Sequence, residues 1–388
     1  MRKMLFFLQS LSSGGAERVT ATLANHWAEN GWKVIIVTVM AEDSDFYKLH
    51  PHIRRIALEM AGDSRHWFQG VFRNLRRLSA LLGILRSEKP DVAVAMMATA
   101  NVTLALAGRL ARIPTVGSER IHPPMLPLGR IWEALRRYAY PLLDGLVAQT
   151  RDSAAWLRQQ APPKTIRVIP NPVDYPLKGH EPRIAPANVL GSLSGKQALL
   201  AVGRLEEQKG FDRLLSGFAE VSGKHADWSL VILGEGRMRA ALTQQAADFG
   251  IADRVALPGA VGNLGDWFEA ADLYAFTSRF EGFPNTLLEA LVYGLPAVAV
   301  DCKTGPREIV RHEVDGLLVP QDDPDALAAA LNRMMYDPAL RERFSARAVE
   351  VRERFAVERI AEQWESLFRE VTRTSARGED QENREQLL

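Results

Sequence analysis

The sequence predicts an α/β protein made of two successive doubly wound domains, each with its own parallel sheet. Short apolar runs alternate with longer segments of helical periodicity over most of the chain. One proline- and glycine-rich stretch without periodicity interrupts the alternation, which then starts again. At 388 residues, the chain is also longer than one hydrophobic core usually organises.

The first half of the chain supplies the first predicted sheet. Strands buried on both faces are near-continuous apolar runs, and such runs joined by helices are typical of a parallel sheet covered on both sides. The predicted strands are residues 2–8, 33–39, 91–97, 114–118, 144–149 and 166–169, and the predicted helices lie near 16–30, 100–111 and 151–160.

The second half repeats this pattern and ends in helices. Its predicted strands are 198–203, 228–233, 254–258, 272–277, 296–300 and 316–319, and its last helices cover 324–335, 338–354 and 358–371. We therefore expect two Rossmann-like domains facing each other across a cleft, because ligands bind at the carboxyl ends of such sheets. The expected division is an N-terminal domain over 1–173, a linker over 174–196, a C-terminal domain over 197–357, a helix over 358–372 that packs back on the N-terminal domain, and a disordered polar tail over 373–388.

Charge and cysteine content narrow the possible partners and compartments. The net charge is +1, so membrane binding needs a local basic patch, and no nucleic-acid partner is expected. The single cysteine, Cys302, excludes an internal disulfide framework and fits a reducing compartment. The apolar run Met4–Leu8 is too short for a signal peptide, and no run approaches the roughly 20 residues of a membrane span. The expected location is the cytoplasm.

The stretch SSGGAER, residues 12–18, follows a predicted strand and opens a predicted helix. Gly14 and Gly15 would let the backbone approach a ligand closely, and the free amides of a helix start suit an anion. A tight turn that needs only positive φ at the glycines explains the same letters. This stretch alone leaves both interpretations open.

The stretch VGRLEEQKGFD, residues 202–212, also follows a predicted strand. Arg204 offers a forked guanidinium and Lys209 a point charge, a combination suited to a diphosphate. The alternative is a solvated charged turn in which Glu206 and Glu207 are the local partners. Charge alone favours that alternative.

The stretch EGFPNTLLEA, residues 281–290, places two glutamates around a turn and a helix start. Asn285 or Thr286 is the predicted N-cap of a short helix, whose first amides suit a phosphate. Glu289 would repel a diphosphate but can accept hydrogen bonds from a neutral diol such as a ribose, and Glu281 can meet sugar hydroxyls. Alternatively, both glutamates simply complement the helix dipole.

Together these stretches resemble the signature segments of family 4 retaining nucleotide-sugar glycosyltransferases, which have the GT-B fold. EGFPNTLLEA is similar to their E-x7-E signature, SGGAE to their N-terminal phosphate loop, and GRLEEQKGFD to their G-R-x4-K-G segment. IPNPVD at 169–174, VILGEG at 231–236 and DGLLVP at 315–320 also fit, and the resemblance covers about residues 1–372. It implies transfer of a hexose with retained anomeric configuration.

The resemblance implies a role for each matching residue. Arg204 and Lys209 would bind the donor diphosphate and neutralise it as it leaves, and Glu281 would face the donor sugar; these three are the implied catalytic residues. Glu289 would bind the ribose hydroxyls, and the loop at Gly234 would frame the base. The implied donor-binding set is Gly14, Gly15, Arg204, Lys209, Gly234, Gly282, Phe283, Pro284, Asn285, Thr286, Leu287 and Glu289.

Two places depart from the family pattern. Many members have Pro-Asn-Gly where this chain has Pro-Asn-Pro at 170–172, and the second proline removes an amide. Many also have a histidine after the strand at 114–118. Here the string SERIHPP offers Arg120 and His122 for the acceptor or sugar side.

The expected reaction needs no metal and no cofactor beyond the nucleotide-sugar donor, which the resemblance implies is linked to UDP. The D-x-D strings at 43–45 and 323–325 are of a kind that metal-dependent transferases use, but Asp323 stands at a predicted helix start, where a capping role is expected. The histidines are scattered, without an H-x-x-x-H pair, so a zinc site is not expected.

Residues 65–89 carry a helical pattern with a basic side. Arg73, Arg76 and Arg77 could bind anionic lipid headgroups or a lipid diphosphate, with Trp67 as an interface anchor. The alternative is a core-facing helix with a solvated basic side. The predicted apolar face consists of Phe68, Val71, Phe72, Leu75, Leu78, Leu82 and Leu85.

The chain also resembles bacterial enzymes that extend undecaprenyl-diphosphate-linked oligosaccharides, and SSGGAERVTATLANHW, SERIHPP and PNPV are most similar to the exopolysaccharide group. This resemblance implies a lipid-linked saccharide acceptor, held by the N-terminal domain of a peripheral enzyme on the inner face of the plasma membrane. Two alternatives stay open: a nucleotide-sugar epimerase of the same fold, and a non-catalytic assembly scaffold. A dinucleotide oxidoreductase is disfavoured because neither half has G-x-G-x-x-G.

Overall fold

The chain forms two compact units, each built on one parallel sheet, so the predicted fold class is confirmed. Unit 1 consists of Met1–Pro172 and Val357–Leu388, and unit 2 of Val173–Ala356. The computed structural model describes the backbone of residues 2–12, 14–62 and 67–385 and the side chains of 2–12, 14–62 and 70–373.

The sheet of unit 1 has seven parallel strands. They are β1 (Lys3–Leu8), β2 (Lys33–Thr38), β3 (Arg54–Ala57), β4 (Val92–Met96), β5 (Thr115–Glu119), β6 (Gly145–Ala148) and β7 (Ile166–Val168), in the order β3-β2-β1-β4-β5-β6-β7. The helices between them are α1 (Gly15–Glu29), α2 (Trp67–Glu88), α3 (Ala98–Ala111), α4 (Arg130–Ala139) and α5 (Arg151–Gln160).

Side chains alternate across this sheet and fill a hydrophobic core on each face. On one face Phe6 of β1 stacks on Trp27 of α1. On the other face Phe7 shares a core with Leu81 and Leu85 of α2. All seven strands run the same way, so the loops that follow them meet at one edge of the sheet, where ligands of such folds bind.

Unit 2 has a six-stranded parallel sheet in the order β10-β9-β8-β11-β12-β13. The strands are β8 (Gln197–Val202), β9 (Trp228–Leu233), β10 (Val255–Gly259), β11 (Leu273–Phe276), β12 (Ala297–Asp301) and β13 (Gly316–Pro320). Its helices are α6 (Pro186–Leu190), α7 (Phe211–Ser222), α8 (Arg239–Asp248), α9 (Leu264–Ala270), α10 (Asn285–Val292), α11 (Pro306–Ile309), α12 (Pro324–Tyr336), α13 (Pro338–Ala348) and α14 (Val351–Arg354).

The stretch 174–196, expected as a linker, lies in unit 2 and is packed against it. Ile184 exchanges hydrogen bonds with the Asn263 side chain, donating through its amide at 3.1 Å and accepting through its carbonyl at 3.0 Å. Low periodicity suggested a linker, but irregularly spaced apolar residues suffice for packing. Those partly buried against the unit 2 core are Leu177, Ile184, Val189, Leu190 and Leu193.

The last helix, α15 (Val357–Glu385), belongs to unit 1. Trp364 and Phe368 are 1% and 4% exposed in its core, and Glu365 Oε1 accepts a hydrogen bond from Trp27 Nε1 at 3.1 Å. The expected disordered tail at 373–388 is instead helical through Glu385, because a packed helix is easily extended by residues of good helix propensity. Residues 386–388 lie outside the described part of the chain.

Among the described side chains of α2, those of the C-terminal half contact the core. Leu81 and Leu85 are fully buried, whereas Val71, Phe72 and Leu75 are 51%, 63% and 57% exposed. The prediction of one continuous core-facing apolar side is therefore wrong for the first part of the helix, and the side chain of Phe68 lies outside the described residues. Within the described parts of the chain, no helix is both long and apolar enough to cross a bilayer.

Candidate active site

The loops after β8, β9 and β11 meet at the carboxyl edge of the unit 2 sheet, and glycines allow their close approach. Gly234 has φ 141°, and a Cβ there would lie 1.9 Å from the carbonyl oxygen of Gly203. Gly210 has φ 65°, and its Cβ would lie 2.1 Å from the carbonyl oxygen of Thr277. A larger residue at either position would force these loops apart.

Lys209 and Glu281, 72 positions apart in sequence, form an ion pair at this edge. Lys209 Nζ lies 2.5 Å from Glu281 Oε1, and the same oxygen accepts a hydrogen bond from Ser278 Oγ at 2.9 Å. The two paired side chains are 17% and 11% exposed, so their attraction is less screened than that of a surface pair. The Thr304 hydroxyl donates to the Glu281 carbonyl oxygen and holds the backbone there.

Arg204 stands on the same loop as Lys209 and is exposed. Its Nη2 lies 3.4 Å from Gln208 Oε1, a distance at which a hydrogen bond is weak. The charged-turn alternative made Glu206 a partner of these cations, but Glu206 pairs with Arg237 at 2.6 Å. That alternative is therefore wrong about the partner of Glu206, and the turn presents two cations of which one contacts Glu281.

Arg279 and Asp212 join the two loops, and sequence analysis identifies neither residue. Arg279 Nη1 and Nη2 donate to the two carboxylate oxygens of Asp212 at 2.9 and 2.7 Å, and Nη1 also donates to the Glu207 carbonyl oxygen at 2.6 Å. Burial raises the pKa of Asp212, but the hydrogen bonds and charge of Arg279 outweigh it, so the net pKa lies below its usual value. The signal in the sequence was their opposite charge, because Asp212 ends the recognised stretch 202–212 and Arg279 lies two residues before the stretch 281–290.

Helix α10 begins at Asn285 with Pro284 as its N-cap, so the expectation that Asn285 or Thr286 caps it is wrong. The amides of Leu287 and Leu288 both donate to the carbonyl oxygen of Pro284. Proline suits this place because its ring restricts φ, here −80°, to a value close to that of a helix.

Phe283 and Leu287, both expected at the donor, have their side chains in the unit 2 core. Phe283 is 6% exposed and packs against Phe355, and Leu287 is fully buried. Their backbone groups alone can therefore contact a ligand. Glu289 is also buried, at 3% exposure, and it lies close enough to Tyr274 that its charge adds to burial in raising the pKa of that phenol.

In unit 1, the glycine-rich turn after β1 does not use positive φ. Gly14 has φ −85° and is the N-cap of α1, and Gly15 is the first helical residue. The tight-turn alternative is therefore wrong about why glycine stands here. The Glu17 carboxylate covers the turn: it accepts a hydrogen bond from Ser10 Oγ at 3.2 Å, and a Cβ on Gly14 would lie 2.1 Å from it. Ser13 lies outside the described residues.

Arg120 and His122 follow β5 and are both buried, at 6% and 2% exposure. His122 Nδ1 lies 3.1 Å from Ser153 Oγ, in the first turn of α5. Burial lowers the pKa of Arg120 to about 10, and the nearby charge of Glu17 opposes that shift. Arg120 is therefore still protonated at neutral pH, in a place from which water is largely excluded.

The two D-x-D strings have structural partners. Asp45 accepts two hydrogen bonds from Arg55, at 2.8 and 2.9 Å. Asp323 caps α12 by accepting from the Ala326 amide at 2.9 Å, which confirms its predicted role. Among the side chains that the structure describes, no three histidine, cysteine or acidic groups gather as a metal-binding cluster.

Two of the three arginines expected at a membrane surface bind their own unit. Arg77 Nη2 donates to the Met60 carbonyl oxygen at 2.7 Å, and Arg73 Nη1 donates to the Gly62 carbonyl oxygen. Arg76 remains exposed, with its guanidinium 6.0 Å from the centre of the Phe72 ring. The side chain of Trp67, the expected interface anchor, is not among the described side chains.

Helix α4 presents an exposed apolar stripe that sequence analysis missed. Ile131 and Tyr138 are each 76% exposed and Leu135 is 37% exposed, and their spacing places them on one side of the helix. Arg130 and Arg137 are exposed beside them. The string RIWEALRRYA contains this periodicity, but periodicity does not tell which side of a helix is packed.

Comparison with known proteins defines the class. The chain matches the profile described as Glycosyltransferase Family 4 over residues 13–175 and the profile described as Glycosyl transferases group 1 over residues 187–351. The structure of Anabaena HepE in complex with UDP and glucose superposes with a TM-score of 0.74 at 21% identity, covering 94% of this chain and 99% of that chain. The chain is therefore a glycosyltransferase with the GT-B fold.

Curated relatives give the family. The lipopolysaccharide core biosynthesis glycosyltransferase LpsD of Rhizobium meliloti is 30% identical over 78% of this chain and 83% of that relative. The GalNAc-α-(1→4)-GalNAc-α-(1→3)-diNAcBac-PP-undecaprenol α-1,4-N-acetyl-D-galactosaminyltransferase of Campylobacter jejuni is 27% identical over 96% and 99%. An exopolysaccharide phosphotransferase of Streptomyces coelicolor is 34% identical over 74% of this chain, which spans 29% of that relative. The chain belongs to glycosyltransferase family 4.

Proposed function

We propose that this glycosyltransferase moves a hexose from a UDP-linked sugar, with retention of anomeric configuration, to a lipid-linked saccharide in bacterial exopolysaccharide or glycan biosynthesis. The observation that carries the proposal is the contact of Lys209 with Glu281 at the carboxyl edge of the unit 2 sheet, on the loop that also bears Arg204. Arg204 and Lys209 are two cations that can bind a diphosphate, and Glu281 is a carboxylate that can accept hydrogen bonds from sugar hydroxyls.

The chemistry follows from where charge develops. When the bond between the anomeric carbon and phosphate breaks, negative charge builds on the leaving diphosphate, and fixed cations stabilise that charge more in the transition state than in the ground state. Arg204 supplies a fork of N–H donors and Lys209 a point charge. In this proposal the diphosphate competes with Glu281 for Lys209, which leaves Glu281 able to accept hydrogen bonds from the donor sugar.

Retention requires that the new bond form on the face that the diphosphate leaves. The acceptor oxygen attacks the anomeric carbon from that face, its proton passes to a phosphate oxygen of the leaving group, and no enzyme nucleophile takes part. Glu289 accepts hydrogen bonds from the ribose hydroxyls in this arrangement. The assignment of the donor is supported by the UDP and glucose in the complex of Anabaena HepE.

The lipid-linked acceptor is supported by the name of the Campylobacter relative, which contains a diphospho-undecaprenol. Such an acceptor requires work at a membrane surface, and we assign that surface to α2 and α4, which both pack against α3. Their acidic residues are already paired, Glu88 with Lys3 and Glu133 with Arg136. The two helices also expose a set of apolar and basic side chains, as anionic lipid headgroups require: Val71, Phe72, Leu75, Arg76, Arg130, Ile131, Leu135, Arg137 and Tyr138.

Calorimetry with UDP, GDP and ADP tests the donor assignment. Lys209→Ala should lower UDP affinity and turnover together by about tenfold or more, since a hydrogen bond to a charged group contributes about 1.5–3 kcal/mol. Lys224→Ala, which removes an exposed lysine of the same unit, is the matched control and should change neither.

The same experiments separate the alternatives. Absence of any nucleoside diphosphate binding contradicts the enzyme proposal and leaves the scaffold. Conversion of the nucleotide sugar into an isomer, without a transfer product, indicates the epimerase. When a transfer product forms, NMR of its new linkage should show the anomeric configuration of the donor.

A further inference from the structure

Two buried polar side chains at the carboxyl edge of the unit 1 sheet have atoms without hydrogen-bond partners among the described residues. Glu119 at the end of β5 is in register with Ala148 at the end of β6, so Arg120 and Gln149, the next residues, leave the sheet side by side. Side chains alternate along a strand, which puts both on the face that carries α1.

Arg120 uses one of its nitrogens, and no described residue pairs with the other edge of its guanidinium. Its Nη1 lies 3.4 Å from Ser118 Oγ, while Nε and Nη2 have no hydrogen-bond partner among the described residues. Nε and Nη2 form the edge that binds two oxygen atoms at once. Because the residue is 6% exposed, these donors gain little from solvent, and leaving them unpaired destabilises the protein.

Gln149 has an acceptor atom that no described residue pairs with, whereas Arg120 has such donor atoms. Its Nε2 donates to Asn171 Oδ1 at 2.7 Å, which fixes the orientation of the amide, and its Oε1 has no partner within the described part of the chain. The residue is 4% exposed. In the described part of the chain, Arg120 after β5 therefore has unpaired donors and Gln149 after the neighbouring β6 has an unpaired acceptor.

The combination selects a chemical class of ligand. A hydroxyl both donates and accepts, so adjacent hydroxyls of a sugar ring can satisfy the Arg120 edge and Gln149 Oε1 together. A phosphate offers acceptors alone and would leave Gln149 unpaired. The negative charge of a phosphate would also be repelled by the Glu17 carboxylate, whose charge already acts on Arg120. A neutral ligand adds no further negative charge to this buried place, so it fits the site better than a phosphate.

We propose that Arg120 and Gln149 form a subsite of unit 1 for the hydroxyls of a sugar ring, with Arg120 binding two adjacent hydroxyl oxygens and Gln149 Oε1 accepting from one hydroxyl. The assignment of this ring to the acceptor saccharide, as opposed to the donor sugar, rests on the proposed function. The subsite itself adds Gln149 to the candidate residues and gives Arg120 a ligand of defined chemistry.

Stability of the full-length protein distinguishes a ligand-binding arginine from a structural one. Arg120→Met removes the unpaired Nε and Nη2 with little change of shape, so the melting temperature of the free protein should stay the same or rise. Gln149→Leu also removes the hydrogen bond from Nε2 to Asn171, so that variant is used in the binding measurements alone. Arg136→Met is the contrasting variant, since Arg136 is equally buried but contacts Glu119 at 3.3 Å and Glu133 at 2.7 Å, and its loss should lower the melting temperature. A fall for Arg120→Met as large as that for Arg136→Met would overturn the proposal.

Direct binding tests the subsite without any transfer reaction. Saturation-transfer NMR and titration with the methyl α-glycosides of glucose, galactose and N-acetylgalactosamine should show binding of at least one glycoside to the wild type. Arg120→Met and Gln149→Leu should each weaken it about tenfold or more, and Arg120→Lys should not restore it, because lysine lacks the fork. UDP affinity should be unchanged in all three variants.

Other outcomes contradict the subsite. It fails if no glycoside binds at tens of millimolar, if the variants bind the glycoside as the wild type does, or if Arg120→Met weakens pyrophosphate binding while glycoside binding is unchanged. In steady-state assays, a raised KM for the acceptor with an unchanged KM for the nucleotide sugar assigns the ring to the acceptor, and the reverse assigns it to the donor. Unchanged UDP affinity in Lys209→Ala would contradict the proposed function and would not affect the interpretation of these glycoside results.

Discussion

The guanidinium of Arg279 binds both carboxylate oxygens of Asp212, and this ion pair joins the loop that carries Glu281 to the first turn of α7, just after Lys209. The Arg279 amide also donates to the Gln208 carbonyl oxygen at 2.7 Å. Because Lys209 and Glu281 stand on the two joined segments, the ion pair of Arg279 with Asp212 helps to set the distance between them.

Arg279→Lys should lower kcat about tenfold, because a single ammonium cannot hold both oxygens of Asp212 and a small misplacement of Lys209 reduces transition-state stabilisation. Stability should change little, since the two side chains are 25% and 36% exposed and such pairs contribute about 1 kcal/mol or less. Steady-state kinetics with the nucleotide sugar measures the effect. Arg333→Lys, which breaks a similar two-oxygen contact with Glu313, is the control, and an equal loss in both variants would refute the positioning role.

Acid should remove the stabilisation that Arg279 provides. The pKa of Asp212 is lowered in the folded protein, so its contribution is present above the unfolded value of about 3.9 and is lost as pH falls through the folded pKa. The difference in unfolding free energy between the wild type and Arg279→Met should therefore be constant from about pH 7 to 5 and shrink below about pH 4. Urea unfolding at each pH measures it, and a difference that grows in acid would contradict the assignment.

Phe283→Ala should destabilise unit 2 by about 3–5 kcal/mol, because the ring is buried against Phe355 and its loss leaves a cavity. Phe283→Leu should keep UDP affinity, since the backbone alone is placed to meet a ligand. Urea unfolding and calorimetry measure the two effects. Tyr336→Ala, at a side chain 80% exposed, should change stability by less than about 0.5 kcal/mol. Weak UDP binding by a stably folded Phe283→Leu would show that the ring itself contacts the donor.

Leu135→Glu combined with Tyr138→Glu should abolish binding to vesicles that contain anionic lipid, because it places two negative charges in the exposed stripe of α4. Flotation with anionic and with zwitterionic vesicles measures the effect, and turnover of a short-chain, water-soluble acceptor should be unchanged. Tyr336→Glu, which adds a charge at an exposed aromatic of unit 2, is the control. Equal flotation of all three proteins would exclude α4 as the membrane surface.

Local patterns in the sequence were sufficient to predict every strand of the two sheets except β3 (Arg54–Ala57), which is short and lies at the edge of the unit 1 sheet. Runs such as Val34–Val37 and Leu230–Leu233 are apolar at every position, which indicates strands covered on both faces, and each lies in a strand that has a neighbouring strand on either side. The loops after β1, β8 and β9 could be recognised because glycines, together with Arg204 and Lys209 after β8, stand shortly behind these predicted strands. These features depend on neighbours in sequence, so the sequence is enough to find them.

The contacts that organise the site depend on distant residues and could not be predicted in the same way. The ion pair of Arg279 with Asp212 joins positions 67 apart, and whether any described residue pairs with Gln149 Oε1 depends on the surrounding fold. Side-chain burial was equally hard to predict for Phe283, since a phenylalanine between glycine and proline is compatible with a loop surface or a core. Tertiary packing decided each case.

The C-terminal helix has a consequence for synthesis of the protein. Unit 2 is inserted between the two segments of unit 1, so Trp364 and Phe368 emerge from the ribosome after all of unit 2. Until then Phe6 and Trp27 lack part of the apolar side chains that cover them in the folded protein, so the core of unit 1 stays partly exposed. Unit 2, which is synthesised later than most of unit 1, can already be folded at that stage. We therefore expect a nascent chain that stops before residue 357 to stay bound to a chaperone, and we expect the full-length chain to be released from it.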